Sequence, residues 1–567
     1  MIIGKKLKEL PISVGVDGEK CINCHACISA CPVKYCNDGS GSFVSVNPFM
    51  CIGCGNCIKA CTHEARFWVD DFDLLMEDLG SGQKIIVIVA PSAVSSFPST
   101  FLNLNGWLKE LGVKAVFDVS FGAELTVKSY IDYINKHTEV KTVIAQPCPA
   151  IVTFIEMYIP ELIPHLAPVD SPMLHTMKMI RKYYPQYADH KIAAISPCLA
   201  KKREFHETGM GDYNVGFKSI QNYLKRTGTD LSFYGQDAYE NPPAERAVGF
   251  SSPGGLLKTA ERWVPGISEF SRKIEGPENI YPYLEKLPES IQAGTAPAII
   301  DCLNCGRGCN GGPLTLTEEK ALDDVEKAVS SRLHQAVSSY QPEENGEKEI
   351  DRDALNRIIN KYWEDRVYYR SYSDMSINNR IIVPSEPELK KIYKMMRKNS
   401  ESDFFNCSSC GYGTCHNMAV AIYNGLNRPE NCHFFLAEEA KIKTNEISEN
   451  EKRLRTILST TAAGFCLADA EFRMVVVNNA FCKFMGMPRE KLIGSTILKK
   501  QFERCTGGNG FTSEIRISSP DGAMNYYQLI SNPYYDENKD LVGYFAMMAD
   551  ISKYRRETST GTPAHAS

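Results

Sequence analysis

Short apolar runs rich in β-branched residues recur between residues 84 and 200, separated by stretches with helical spacing. The runs are KIIVIVA (84–90), KAVFDVS (114–120), KTVIAQ (141–146) and KIAAIS (191–196). Runs of this length and composition predict buried strands. AELTVKSYIDYINKH (123–137) repeats its apolar residues every three or four positions, which predicts a helix between the second and third strands. The alternation of strand and helix predicts a mostly parallel, doubly wound sheet.

The pattern changes on either side. Residues 1–75 read as short loops around clustered cysteines, and YQPEENGEKEIDR (340–352) is polar and predicts an exposed connection. Residues 436–458 read as one helix, with Leu436, Ala440, Ile447, Leu454 and Ile457 along a seam that Lys443 and Asn450 interrupt. That is a weak heptad, compatible with a parallel dimeric signalling helix or with a solvated spacer. Residues 459–555 form a last domain, and a disordered tail is expected over 556–567.

The chain has 567 residues, which suggests three to five domains at roughly 100–200 residues each. A net charge of −5 argues against a nucleic-acid surface. The opening MIIGKKLKEL has no apolar run behind it, and no stretch is apolar enough to span a membrane. The 21 cysteines are therefore expected in a reducing cytoplasm, where clustered thiols hold metals or do redox chemistry rather than form disulfides.

CINCHACISACP (21–32) and CIGCGNCIKAC (51–61) each contain C-x2-C-x2-C-x3-C. This spacing resembles that of bacterial two-cluster ferredoxins, in which the fourth cysteine of each run reaches the other cluster. The resemblance implies one [4Fe-4S] cluster on Cys21, Cys24, Cys27 and Cys61 and another on Cys51, Cys54, Cys57 and Cys31. Zinc is the alternative. Pro32 follows Cys31 as in the family, whereas Thr62 follows Cys61; Cys36 is unassigned.

The next cysteines lie far apart. AQPCPAI (145–151) and SPCLAKKRE (196–204) begin where predicted strands end, the place where ligands gather in doubly wound sheets. DCLNCGRGCNGGP (301–313) is rich in glycine, which lets backbone approach a bulky ligand. In order and separation these segments resemble the three signatures of [FeFe] hydrogenases. The wider resemblance covers about residues 1–400, including APS (90–92), FGAELT (121–126) and SPM (171–173). It implies an H-cluster: a [4Fe-4S] cubane on Cys148, Cys198, Cys305 and Cys309, with Cys309 bridging to a two-iron subsite carrying carbon monoxide, cyanide and azadithiolate. Lys201 matches the family's lysine that donates to a cyanide, a role that suits an ammonium facing anionic acceptors. Pro91 and Ser92 match the backbone near the other cyanide, and Met173 and Leu303 match the apolar wall of the subsite. A plain cubane, as in related cluster-assembly proteins, is the alternative.

The sequence departs from the fast members at the proton path. Where they have a proton-donating cysteine beside the first ligand, this chain has Pro147, with neither a thiol nor an N–H. The family's relay carboxylates fall on Lys128, Ser129, Tyr130 and Tyr133, while Asp301 keeps an acid before the third signature. Cys302 reads either as a substitute proton carrier or as a packed thiol. Loss of a positioned acid costs roughly 100- to 10,000-fold, so slow turnover is expected.

FNCSSCGYGTC and NC give Cys407, Cys410, Cys415 and Cys432 around a helix expected at 416–426. They resemble a small four-cysteine [4Fe-4S] domain, with zinc as the alternative. GFCLADAEFRMVVVNNAFCKFMG (464–486), YYQLIS (526–531) and LVGYFAMMADIS (541–552) resemble a PAS domain, whose ligand is unknown; Cys466 and Cys482 read as structural thiols.

The expected fold class is therefore multidomain α/β and α+β. It comprises a ferredoxin-like two-cluster domain (1–75), a doubly wound hydrogenase domain (76–375), a small cluster domain (376–435), a linker helix (436–458), a PAS domain (459–555) and a tail (556–567). The architecture resembles the sensory group of [FeFe] hydrogenases. That implies a low-turnover hydrogen sensor acting on dihydrogen and protons, with an electron carrier such as ferredoxin, a homodimer through the linker helix and PAS domain, and a separate signalling partner. A ferredoxin-linked catalytic hydrogenase with an unusual proton path and a non-enzymatic iron–sulfur scaffold are the alternatives. Neither nucleic acid nor membrane is expected as a partner.

Overall fold

A computed structural model describes residues 7–340, 343–344, 347–348, 353–505, 509–518 and 522–559. The chain divides into two compact units, Met1–Leu436 and Ala437–Ser567. Most of the connection expected at 340–352 lies outside the described residues, as do residues 560–567 of the expected tail. Among the described residues no helix is long and apolar enough to cross a membrane.

In the first unit, β1 (Val14–Val16) pairs antiparallel with β2 (Arg66–Trp68), and two short helices, α1 (Ala26–Ser29) and α2 (Asn56–Lys59), follow the cysteine loops. The sequence repeat is visible in the backbone. Asn23 and Gly53 are left-handed, and so are His25 and Gly55, so each loop turns the same way before its helix.

All four expected strand runs form strands, but in two parallel sheets rather than one. The first sheet has the order Val116–Asp118, Ile85–Val89, Lys191–Ser196, Tyr213–Gly216. The second has Ser271–Glu275, Ile299–Leu303, Val143–Ile144. Residues 143–144 leave the first sheet because Val143 and Ile144 pair with Ile299 and Ile300. Every residue of Ile85–Val89 is fully buried, as a strand covered on both faces requires. Asp118 starts the helix Val119–Lys136 by accepting from the Ser120 N–H, and Ser171 caps Pro172–Tyr183 by accepting from the Leu174 N–H.

These two helices pack around a buried histidine. His175 contacts the hydroxyls of Thr126 (3.0 Å) and Ser129 (2.9 Å) and stacks on Tyr368. Burial holds its pKa down to about 3, against about 6.5 when free. Between those values the unfolded chain binds a proton that the folded chain refuses, so stability falls as pH drops below about 6.5. At about 1.4 kcal/mol per pH unit, the contribution lost by pH 5 is about 2 kcal/mol. Urea unfolding at pH 7 and pH 5 is expected to show this difference, and His175→Gln is expected to remove it.

The second unit is a five-stranded antiparallel sheet with the order Met474–Val477, Gly464–Asp469, Leu541–Asp550, Met524–Tyr535, Phe511–Ser518. Phe481, Leu492, Phe502 and Leu529 fill its core. Cys466 and Cys505 are buried and Cys482 is partly exposed. The expected disordered tail fails at its start, where Ser552–Ser559 is helical. The Asp550 carboxylate accepts from the Ser552 N–H, and Arg555 pairs with Glu514 at 2.6 Å. A helix His433–Thr460 leads into this unit, with Ile447, Leu454 and Ile457 exposed along it. Asn478 clasps its end: the amide nitrogen donates to the carbonyls of Leu458 and Ala463, and the oxygen accepts from the N–H groups of Phe465 and Phe481.

Candidate functional site

The carboxyl ends of the two parallel sheets explain why distant cysteines meet. Val89 is paired with Ile195, so the turns that follow, Pro91-Ser92 and Pro197-Cys198, lie side by side. Ile144 is paired with Ile300, which brings Cys148, at the start of the helix Pro149–Tyr158, beside the Leu303–Cys305 turn. These turns enclose a cavity with about 690 Å³ of empty space, part of it open to solvent. Cys148, Cys198, Cys305 and Cys309 all line it, as do Lys201, Pro91, Ser92, Met173, Leu303 and Pro147. Two glycines bring backbone to its edge. A Cβ on Gly308 would sit 2.4 Å from the Ser251 carbonyl oxygen, and one on Gly312 would sit 2.3 Å from that of Pro197, so neither position accepts a side chain.

Lys201 is the first residue of the helix Lys201–Thr208, and its side chain is 7% exposed. Its ammonium donates to Glu204 Oε2 at 2.6 Å, and the same oxygen accepts from Ser171 Oγ at 2.9 Å. Arg370 donates to the other carboxylate oxygen at 2.9 Å. The carboxylate thus aims the lysine and is itself held on both sides. An ammonium has three donors, and Glu204 takes one.

Burial pushes the thiols of Cys198, Cys305 and Cys309 up, Cys309 to about 12; neighbouring cysteines add to the effect, and Lys201 opposes it at Cys198 and Cys309. Loading iron here must therefore release protons. The residues fit a cluster bearing polar ligands. The donor set is four thiols in a glycine-edged cavity, and the hydroxyls of Ser92 and Ser251 are buried on its wall without a partner. A buried hydroxyl left unpaired is costly, and a ligand acceptor would satisfy it.

Val119, Phe250, Ser251 and Asn304 also line the cavity, and the sequence gave no motif for them. Phe250 and Ser251 are positioned from a distance. Glu124 is fully buried, accepts from the N–H groups of Glu245 and Ala247 at 3.0 Å each, and pairs with Arg262 at 2.7 Å, which pins the segment before them. Cys302 does not line the cavity. It is fully buried, and its thiol points to the Ala145 carbonyl at 3.5 Å. Side chains alternate along a strand, so Leu303 facing the cavity sends Cys302 to the other side. Asp301 is also absent from the wall, and burial raises its carboxyl to about 7. Of the other relay positions, Tyr130 accepts from the Gln146 N–H at 3.0 Å and Ser129 contacts His175.

In the N-terminal domain, burial pushes the Cys54 thiol up, and Cys31, Cys57 and Cys51 add to the effect. Burial does the same at Cys27, where Arg66 opposes the shift and Cys21 and Cys24 add to it. These neighbours fall in the two expected sets. Cys36 lies with its sulfur 3.7 Å from that of Cys31. Further along, Cys407, Cys410, Cys415 and Cys432 line one cavity of about 320 Å³ with Met396, Phe405, Met418 and Phe434. Thr414 caps the helix Cys415–Tyr423 that carries the third of them.

Comparison with known proteins agrees with this division. Residues 83–313 match the iron only hydrogenase large subunit, C-terminal domain; residues 13–62 match a 4Fe-4S dicluster domain, 405–434 an Fe-S cluster family and 462–553 a PAS domain. The chain is 25% identical over 284 residues to the periplasmic [Fe] hydrogenase large subunit of Nitratidesulfovibrio vulgaris, covering 44% of this chain and 67% of that protein. It is 26% identical over 302 residues to iron hydrogenase 1 of Clostridium pasteurianum, covering 45% of this chain and 52% of that one. It thus spans between half and two thirds of these two relatives. A solved [FeFe]-hydrogenase from Chlamydomonas reinhardtii is 17% identical with a TM-score of 0.41, covering 54% of this chain and all of that one. The central domain of this chain belongs to the iron-only hydrogenase large-subunit family, joined in one polypeptide to dicluster, Fe-S cluster and PAS domains.

Proposed function

We propose that this chain is a slow hydrogen-reactive protein that reports hydrogen or redox state through iron–sulfur clusters to its PAS domain and a separate signalling partner. The observation that carries this reading is the wall of the central cavity. Four cysteines and Lys201 meet there, and among the described lining residues they are the only titratable side chains. In this reading Cys148, Cys198, Cys305 and Cys309 hold the H-cluster, with Cys309 as the bridge. Lys201 and the hydroxyls of Ser92 and Ser251 face its anionic ligands, and Met173 and Leu303 exclude water. When bound, the two-iron group supplies the metal site and amine at which dihydrogen is cleaved into protons and electrons. A positioned acid typically contributes roughly 100- to 10,000-fold, and Pro147 stands where such an acid would be. Slow proton delivery with retained binding suits a sensor better than a metabolic enzyme.

Electrons would pass to the three further [4Fe-4S] clusters, with a ferredoxin-type carrier as an outside exchange partner. The exposed Ile447, Leu454 and Ile457 offer a seam for a second copy of the chain. The test is an infrared spectrum of matured protein under hydrogen and under inert gas, with a turnover assay. Carbon monoxide and cyanide bands that change with hydrogen, with turnover far below that of the fast enzymes, are the expected result. Bands with fast turnover would mean a catalytic hydrogenase, and absence of bands in matured protein would mean an iron–sulfur scaffold.

A further inference from the structure

The four-cysteine module at 405–434 is joined to the N-terminal cysteine loops, while the central cavity adjoins a different part of the same domain. Gly411 lies next to Cys410 and is left-handed; a Cβ there would sit 2.8 Å from Ile28 Cβ and 2.9 Å from both the His25 carbonyl oxygen and the Ser29 nitrogen. The module's backbone therefore rests directly on α1, the helix that carries Cys27. The Lys34 ammonium bridges the joint, donating to the carbonyls of Ser29 and Gly411 at 3.0 Å each. A second clasp is made around Gly39, which donates to the Leu426 carbonyl and accepts from Asn431 and from Asn23, the residue between Cys21 and Cys24. Cys27, Cys410 and Cys432 share one buried apolar core with Ile28, Tyr412 and Met418.

The other loop faces elsewhere. A Cβ on Gly55, next to Cys54, would sit 2.6 Å from Pro313 and 3.2 Å from Leu199, which neighbours Cys198. Cys31, Cys54, Cys148 and Cys198 belong to a second apolar core. The two loops thus point at two different neighbours.

We propose that the cluster of Cys407, Cys410, Cys415 and Cys432 exchanges electrons with the cluster of Cys21, Cys24, Cys27 and Cys61, across the Gly411–α1 joint, and not with the central site directly. The ferredoxin-like domain is then the only redox link between the hydrogen site and the C-terminal module. This rests on the cluster assignment and hydrogen reading proposed above. Each transfer moves one electron: the Cys21 set is oxidised by one unit, the Cys407 set is reduced by one unit, and no bond or proton changes. The source is dihydrogen, which yields two electrons and two protons at the central site.

The test uses the full chain with its cubanes reconstituted from iron and sulfide, reduced with dithionite and read by electron paramagnetic resonance. The expected result is a magnetic splitting of the Cys407-set signal that is lost in Cys24→Ala and kept in Cys54→Ala. Gly411→Val keeps every cysteine, and with iron content unchanged it is expected to lose the splitting too. Absence of splitting in the unaltered protein, or splitting kept in Cys24→Ala or in fully loaded Gly411→Val, would overturn the proposal. The outcome is separate from the hydrogen reading. Coupled clusters with no response to hydrogen would sink that reading alone, and a hydrogen response with no coupling would sink this one alone.

Discussion

Pro147→Cys is expected to raise hydrogen turnover of the matured protein by at least about 100-fold, within the range that a positioned acid typically supplies. Pro147 is buried on the wall of the central cavity, next to Cys148, so a thiol there would face the same space as the ligand cysteines. The gain should fall at the low end of that range. The neighbouring Tyr130 is bonded to the Gln146 N–H, and burial raises its phenol further above its ordinary value, so it is a poor onward relay. The new residue also adds a backbone N–H in a buried turn, which costs about 1–3 kcal/mol if it finds no partner. Pro147→Ala makes the same backbone change without the thiol and should give no gain. Methyl viologen-driven hydrogen evolution checks both. Equal rates in the two variants would mean that proton delivery at this position does not limit the reaction.

Lys201→Met is expected to lower retention of the two-iron subsite by about 10- to 100-fold, the usual effect of losing a group that supports a metal centre. Iron in the four cubanes should be unchanged. The ratio of carbon monoxide and cyanide infrared bands to total iron measures this directly. The fold should survive. Breaking a buried ion pair typically costs about 3–5 kcal/mol because a charge is stranded. Glu204 keeps Arg370 and Ser171, so the loss should lie below that range. Lys201→Arg is a demanding control, since a planar guanidinium cannot take the place of a compact ammonium aimed by a single carboxylate. Full retention of the subsite in Lys201→Met would remove the lysine from the cofactor site.

Much of the site was legible because its determinants are local. Cys148 and Cys198 follow strands whose apolar runs are plain in the sequence, and parallel strands place such turns at one end. The remaining features depend on pairings between distant residues. Ser271–Glu275 is half exposed and lacks a strong strand signal, and Ile299 and Ile300 must meet Val143 and Ile144 to form the second sheet. Only that register decides that Leu303 faces the cavity and Cys302 the core. Ser251 carries no motif of its own; its place follows from a carboxylate at Glu124, more than a hundred residues earlier. The joint at Gly411 is hidden for the same reason, since a glycine in a cysteine loop does not announce what lies against it.

The clasp made by Asn478 has a mechanical consequence. One side chain bonds the final turn of the long helix, the start of the first strand and the helix that follows the second. A crank pinned at its bearing passes on rotation instead of absorbing it. Torque arriving along the His433–Thr460 rod would therefore reach the sheet with little slack, and the stiffness of the coupling would reside in a single amide.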